Sequence, residues 1–446
     1  VRPAPALWGV PVACAAGALL ARVWIARAPH ALARDLAQPL PVATAWGNYG
    51  TAGFCILAAA LGAATVALVC ASRARRADTA VVVAVAAAAL AANLAWPVTF
   101  SSDPYAYAAY GDLATRGVDP YRLAPPALHD APLDAARYQW SGAFPVCVYG
   151  PAFVLFARAI VTIANGAGSS ATLWVFRAAA CAAFLASIAL LGVALRDRTR
   201  ERRSFALYAY GLNPVALWTV AEGHNDAILI CCAAAAFACA RRFPAGAAFA
   251  LALGPLVKAP GAVLAVVYAA RAAWLEGTQT RAVWLATAAG GAAAVALALP
   301  PLLPALRHVA TAGVYAPAVS LQGLLGLPAA ALLAAAMLAN SARLLLRRER
   351  RGFAWAGLAL LAALPNAYPW YVLWLVPLAL AAGDCPSAAA LWFATIFAAM
   401  RYLPDAAGNM TLDAARAAAA VAALPFALAL AEFRPAALRG KTPTPP

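Results

Sequence analysis

Long apolar stretches separated by short polar connections run through almost the whole chain, near residues 5–26, 50–71, 79–99, 148–165, 171–195, 204–221, 225–240, 243–257, 260–274, 282–303, 322–346, 352–366, 368–383, 386–403 and 412–432. A helix needs roughly 20 apolar residues to cross a bilayer, or somewhat fewer when it is short or packed among others. Tryptophans and tyrosines punctuate the ends of these stretches, as they do at membrane–water boundaries. The pattern predicts an all-α, polytopic integral membrane protein with about 12–14 transmembrane helices. No fixed repeat is visible, and the tail RGKTPTPP reads as disordered.

Composition agrees. Of 446 residues, 65% are hydrophobic and 11% charged, with a mean hydropathy of +0.76, which leaves too little polar surface to coat a soluble globule. A net charge of +16 in a soluble domain would suggest nucleic acid. Here the excess lies in short runs between apolar stretches, RARR (73–76), RDRTRERR (196–203), ARR (240–242) and RLLLRRERR (343–351). That is the positive-inside pattern, so the expected partners include membrane lipids and no nucleic acid. The nine cysteines lie almost entirely inside apolar runs without CxxC spacing, which predicts neither a disulfide framework nor a zinc site. No signal-peptide cleavage pattern precedes a soluble domain, and the first apolar run reads as a retained span.

Topology follows from parity. If both RARR and RDRTRERR face the cytoplasm, the chain crosses an even number of times between them, yet three apolar stretches lie there. The segment 148–165 is the shortest, begins YGPAF and carries Arg158, so it is assigned as re-entrant or interfacial. Both ends then lie in the cytoplasm. The connection 100–147, the GHND turn at 223–226, Lys258, the connection 304–321, PNAYPW (365–370) and PDAAGNM (404–410) fall on the outer face, together with His30, His129, His224 and His308.

The outer face carries the candidate chemistry. Asp103, followed by Pro104, suits a helix cap as well as a site, and the two readings stand level. Asp103, Tyr107 and Tyr110, at i, i+4 and i+7, share a helical face, and a carboxylate beside two phenols at a membrane lip suits a sugar or lipid headgroup. Asp112 and Arg116 read as a plain helical ion pair. GHND would ordinarily be a solvated turn, but Glu222, His224 and Asp226 put three titratable groups in a turn too short to leave the membrane region far. Lys258, about 15 residues and roughly 22 Å of helix beyond Arg242, is either a snorkelling lysine or a contact for a lipid-linked phosphate. His308 beside Arg307 is a loop pair or a headgroup ligand. Tyr368, Trp370 and Tyr371 read first as an interfacial belt. Walker A, HExxH, GxSxG and DxD motifs are all missing, and GAGSSA (166–171) has no strand context. The sequence assigns no cofactor; it carries no metal motif, and a divalent ion stays open.

The ordered set D103-P-Y-A-Y-A-A-Y-G-(x5)-G-V-D-P-Y, Y149-G-P, N213-P-(x8)-G-H-N-D-A, L-V-K258 and Y368-P-W-Y resembles the bacterial polyprenyl-phosphate-mannose-dependent mannosyltransferases of the GT-C superfamily, the group that includes the α-(1→6)-mannopyranosyltransferases. The motifs cover residues 101 to about 371. The resemblance implies a GT-C-like bundle in the bacterial inner membrane, with a long extracytoplasmic loop bearing interfacial helices and an acidic residue near the acceptor hydroxyl. Asp103 matches that residue. It also implies a polyprenyl-phosphate sugar donor and a glycolipid or glycan acceptor. The expected organisation is two N-terminal transmembrane helices (1–72), a catalytic membrane domain (73–432) holding the acidic loop 100–147 and the segment 148–165, and a cytoplasmic tail (433–446). Two apolar spans before the acidic loop depart from the simplest GT-C arrangement.

The implied reaction moves a mannose or similar hexose to a hydroxyl. Asp103 is the expected general base, because a sugar hydroxyl is too weak an acid to ionise beforehand. Tyr107, Tyr110, Tyr149, His224, Asn225, Asp226, Lys258, His308 and Tyr368 are expected to bind substrate, with Lys258 meeting the charge that grows on the departing phosphate. The rival reading is a secondary transporter or a flippase of lipid-linked sugars, but related halves and polar groups at mid-membrane are not evident.

Overall fold

The computed structural model describes residues 5–27, 43–72, 78–95, 101, 103–125, 145–164, 167–239, 242–264, 281–298, 301, 303–304, 320–364, 368–398 and 412–433. Every regular element among them is helical. The chain divides into two compact units, Val1–Val314 with Tyr402–Met410, and Tyr315–Arg401 with Thr411–Pro446.

The first unit contains α1 (Gly9–Arg27), α2 (Ala43–Ser72), α3 (Thr79–Asn93), α4 (Asp103–Thr115), α5 (Pro151–Ile163), α6 (Gly168–Ala194), α7 (Arg200–Gly211), α8 (Pro214–Glu222), α9 (Asp226–Cys239), α10 (Pro244–Val257) and α11 (Arg281–Leu297). The residues α3 buries, Val82, Val85, Ala86, Ala89, Leu90 and Asn93, repeat at helical spacing, so one stripe meets α1, α6, α7 and α8. α9 packs between α6 and α10, and α4 packs along α5. A side chain at Gly111 would collide with the α5 backbone at Ala157, so glycine sets the closeness of that crossing.

The second unit contains α12 (Leu321–Leu325), α13 (Leu327–Leu346), α14 (Gly352–Ala363), α15 (Val372–Ala382), α16 (Pro386–Phe397) and α17 (Leu412–Ala429). α14 is apolar all round and buried from Gly352 to Ala362, which makes it this unit's central helix. The buried Glu432 carboxylate accepts hydrogen bonds from Trp355 Nε1 (2.9 Å), the Ser387 amide (3.0 Å) and Ser387 Oγ (2.5 Å), tying the end of α17 to α14 and α16.

The stretch 204–221, read from its apolarity as one element, is two helices. Asn213 Oδ1 accepts the amides of Val215 and Ala216, both at 3.0 Å, and Pro214 occupies the first helical position, so a new helix begins there. Among the described residues two helices are long and apolar enough to cross a membrane, Ser170–Ala194 in α6 and Leu327–Leu346. The other apolar helical stretches whose side chains are described, such as Ala58–Ser72 within α2, run for 10–17 residues. The helical expectation therefore holds for the described residues, while the number of spans does not follow from helix length. The acidic loop at 126–144, most of 260–274 and the tail 434–446 lie outside the described residues.

Candidate active site

Asp103 heads α4 without capping it. Ser101 Oγ accepts the Asp103 amide hydrogen at 3.1 Å, and among the described residues no first-turn amide donates to the Asp103 carboxylate. The buried carboxylate instead approaches His224, with Oδ2 3.8 Å from Nδ1.

His224 comes from the turn between α8 and α9. Gly223 ends α8 at φ 100°, a left-handed conformation that glycine adopts without a steric cost. The turn is not solvated: Glu222, His224, Asn225 and Asp226 are each at most 1% exposed. His224 Nε2 lies 3.5 Å from Glu222 Oε2, so the imidazole sits between two carboxylates.

Lys258 arrives by a hairpin. α9 and α10 are both 14 residues long and pack together, which brings the end of α10 back to the start of α9. Lys258 Nζ lies 3.1 and 2.8 Å from the two carboxylate oxygens of Asp226, with side-chain exposures of 12% and 0%. The lysine is thus a half-buried ion-pair partner of a fully buried carboxylate, which neither reading of the sequence foresaw. Its ammonium also stands 5.8 Å from the centre of the Tyr149 ring, within cation–π reach.

Tyr107 joins these groups. Its hydroxyl accepts the Asn225 amide hydrogen at 3.4 Å, and its ring meets Tyr149, Phe153 and Phe176 edge-on at 4.9, 4.7 and 5.7 Å. Burial first, and then the carboxylates of Asp103 and Asp226, push the phenol pKa well above its usual value, so it keeps its proton. Tyr110 serves the loop instead, donating its hydroxyl hydrogen to the Pro145 carbonyl at 2.7 Å and so anchoring the returning chain. That loop is pinned further by Cys147 N–H to Pro120 O (2.8 Å), Tyr121 O–H to Tyr149 O (2.8 Å) and Gly150 N–H to Val257 O (2.9 Å). A Cβ at Gly150 would collide with Leu256 O, so glycine there lets the Tyr149 segment touch the extended end of α10.

Arg177 is a residue that sequence reasoning missed, although a lone arginine inside an apolar helix is itself a signal. It is 1% exposed, donates from Nε to Ala221 O (2.6 Å) and from a terminal nitrogen to Leu94 O (3.1 Å), and lies over the Trp174 ring. It therefore binds the ends of α3 and α8 directly beneath the His224 turn. Tyr368 belongs to the second unit, where it stacks on Trp370 at 4.4 Å and meets Tyr371 edge-on. His308 lies outside the described residues. Among the described residues no three His, Cys, Asp or Glu side chains gather as a metal site requires.

A carboxylate, an imidazole, a neutral phenol, an amide and an ammonium thus meet in one buried place. They can accept a proton, hold hydroxyls and carry a compensated positive charge. Comparison with known proteins bears on their use. The chain is 33% identical over 135 residues to Alpha-(1->6)-mannopyranosyltransferase A of Mycobacterium tuberculosis (strain ATCC 25618 / H37Rv), a match covering 29% of this chain and 25% of that protein. No solved structure matches. The family described as "Alpha-(1->6)-mannopyranosyltransferase, N-terminal domain" matches residues 7–276, which include every group from Asp103 to Lys258 described above. With more than half of its length matched, the chain belongs to this α-(1→6)-mannopyranosyltransferase family.

Proposed function

We propose that this chain is a multi-pass glycosyltransferase of the bacterial inner membrane that moves a mannosyl group from a polyprenyl-phosphate donor to a hydroxyl of a glycolipid or glycan outside the cytoplasm. One observation carries the proposal: the Asp103 carboxylate approaches the buried His224–Asn225–Asp226 turn, and Asp226 of that turn pairs with Lys258 from farther along the chain. Family membership supplies the sugar, and the apolar chain supplies the membrane.

In this mechanism Asp103 takes the acceptor proton as the new bond forms. The acceptor oxygen attacks the anomeric carbon, the carbon–oxygen bond to the phosphate breaks, and polyprenyl phosphate leaves with the electron pair. A single displacement inverts the anomeric centre. His224, 3.8 Å from Asp103 and 3.5 Å from Glu222, orients the base and offers the proton an onward route. Lys258 meets the charge growing on the phosphate, shared with Asp226, and Tyr107 holds the turn from the side. The outer location of the site is supported by the parity of the arginine clusters.

The test is transfer by the purified full chain in lipid nanodiscs, with polyprenyl-phosphate [14C]mannose and an α-mannoside acceptor. The expected product carries label in a new glycosidic bond of inverted configuration. Movement of intact donor between leaflets with no new bond would replace this reading by the flippase.

A further inference from the structure

Two asparagines stand in equivalent places on consecutive helices, and only one behaves as that place predicts. Asn213 precedes α8 and caps it, its Oδ1 accepting the amides of Val215 and Ala216 at 3.0 Å. Asn225 precedes α9, and its carbonyl accepts the first helical hydrogen bonds, from Ile228 at 3.0 Å and Leu229 at 3.2 Å. An asparagine there ordinarily turns its side-chain oxygen onto the following amides. Asn225 does not. Its side chain is buried in a residue 1% exposed, and neither Oδ1 nor Nδ2 has a hydrogen-bond partner among the described residues.

A buried amide with no partner among the described residues is costly, so its retention calls for a reason. The neighbourhood supplies one: the Asn225 backbone amide is on the Tyr107 hydroxyl, and the adjoining His224 is 3.8 Å from the Asp103 carboxylate. The occupant is constrained by the amide itself, which offers one acceptor and one donor side by side. A phosphate brings only acceptors and would leave Oδ1 unpaired. A prenyl chain would leave both atoms unpaired. Adjacent hydroxyls on a pyranose ring satisfy both, because each hydroxyl can donate and accept.

We propose that Asn225 is a sugar-reading residue, whose Nδ2 donates to one hydroxyl of a hexopyranose and whose Oδ1 accepts from the neighbouring hydroxyl. This rests on the glycosyltransferase reading and adds to it the specificity group. The hexose is either the transferred sugar or the acceptor's terminal unit, and the two are separated by experiment.

The full-length protein in nanodiscs is assayed with polyprenyl-phosphate mannose and its 2-, 3-, 4- and 6-deoxy analogues, and separately with the matching deoxy forms of a methyl α-mannoside acceptor. In the wild type, two deoxy positions on adjacent carbons of one sugar should each lower kcat/KM roughly 10- to 100-fold, the loss of one hydrogen bond apiece. Asn225→Leu removes both hydrogen bonds, so with the complete sugar it should lose at least as much as either deoxy analogue and show no further loss at those two positions. The arm in which the discrimination vanishes, donor or acceptor, identifies the sugar that is read. Asn225→Ala, which asks for no additional room, repeats the test should the leucine variant not fold. Thermal unfolding of the ligand-free protein gives an independent readout: removing an unpaired buried amide should hold or raise the midpoint, by about 2–4 °C.

Undiminished deoxy discrimination in both variants overturns the proposal, as does a clear fall in the ligand-free midpoint of both, since the amide would then be paired at rest. Failure of the wild type to transfer sugar at all is a different result, which sinks the functional reading and the assignment resting on it.

Discussion

Lys258→Met separates two roles that the lysine holds at once. In the structure its ammonium is 2.8 and 3.1 Å from the oxygens of Asp226, whose side chain is fully buried. Removing the cation leaves a carboxylate in the interior without its counter-charge, a change costing about 3–5 kcal/mol where it has been measured. A loss of several degrees in the unfolding midpoint of the purified protein is expected. Asp226→Leu alone should cost a similar amount by stranding the ammonium. The double variant Lys258→Met/Asp226→Leu replaces the pair by apolar groups, which is commonly neutral, so its midpoint should return most of the way to wild type.

Turnover should not return with it. If Lys258 meets the leaving phosphate, the restored double variant still lacks that charge, and kcat should stay roughly 100-fold down or lower, as when one preorganised donor to a developing charge is removed. Lys258→Arg keeps the charge and should retain part of the activity, although a fork does not reproduce an ammonium. The assay is kcat and KM for the donor beside the unfolding midpoint of each variant. A rise in KM alone would mean that the contact is equal in ground and transition states. A double variant that folds and turns over at the wild-type rate refutes the phosphate role and leaves Lys258 as the partner of Asp226 only. A Lys258→Met protein as stable as wild type refutes the buried pair itself.

Asp103→Asn should leave the unfolding midpoint unchanged, because Ser101 makes the capping contact, while turnover falls on the order of 10²–10⁴; near-normal turnover would return Asp103 to a structural role. Gly150→Ala drives a Cβ into Leu256 O, so the Gly150–Val257 hydrogen bond must break; the variant should lose both stability and donor affinity, and a protein normal in both would show that the Tyr149 segment does not position Lys258. Cysteines introduced at Val148 and Ala167 should both be labelled by an impermeant maleimide from outside the cell; labelling at 167 from the cytoplasm alone would make α5 a span.

How far the sequence discloses this arrangement differs from group to group. The Asp103–Tyr107 pairing is legible because four residues make one helical turn, and both side chains reach the His224 turn. Tyr110 shares the face by periodicity, yet its hydroxyl serves Pro145, since spacing fixes a direction and not a partner. The depth of GHND is invisible in a turn of its length; burial depends on α6 and α10 closing over it. The Lys258–Asp226 pair joins residues 32 apart, and the signal that could have found it is the equal length of α9 and α10 on either side of a short connection. Asn213-Pro214 carries an ordinary helix-start signal, which the unbroken apolarity of 204–221 obscured.

The charges of the site divide the reaction into two halves. Asp103, Glu222 and Asp226 bring three carboxylates, and Lys258 is matched with one of them, so the surroundings of His224 disfavour an arriving phosphate. A base and a leaving group in the same electrostatic surroundings would oppose one another, because each needs the opposite sign of charge. In the proposed mechanism the two requirements fall to different elements, with the base on α4 and the cation at the end of α10 beside the Tyr149 ring. Tyr107, whose raised pKa records the influence of both Asp103 and Asp226, stays neutral between them and adds no third charge. The proposed mechanism has the acceptor attack from the carboxylate side and the phosphate depart toward the ammonium. A single inverting displacement needs attack and departure on opposite faces of the anomeric carbon, so the proposed mechanism asks for the acidic turn and the paired lysine to flank the sugar.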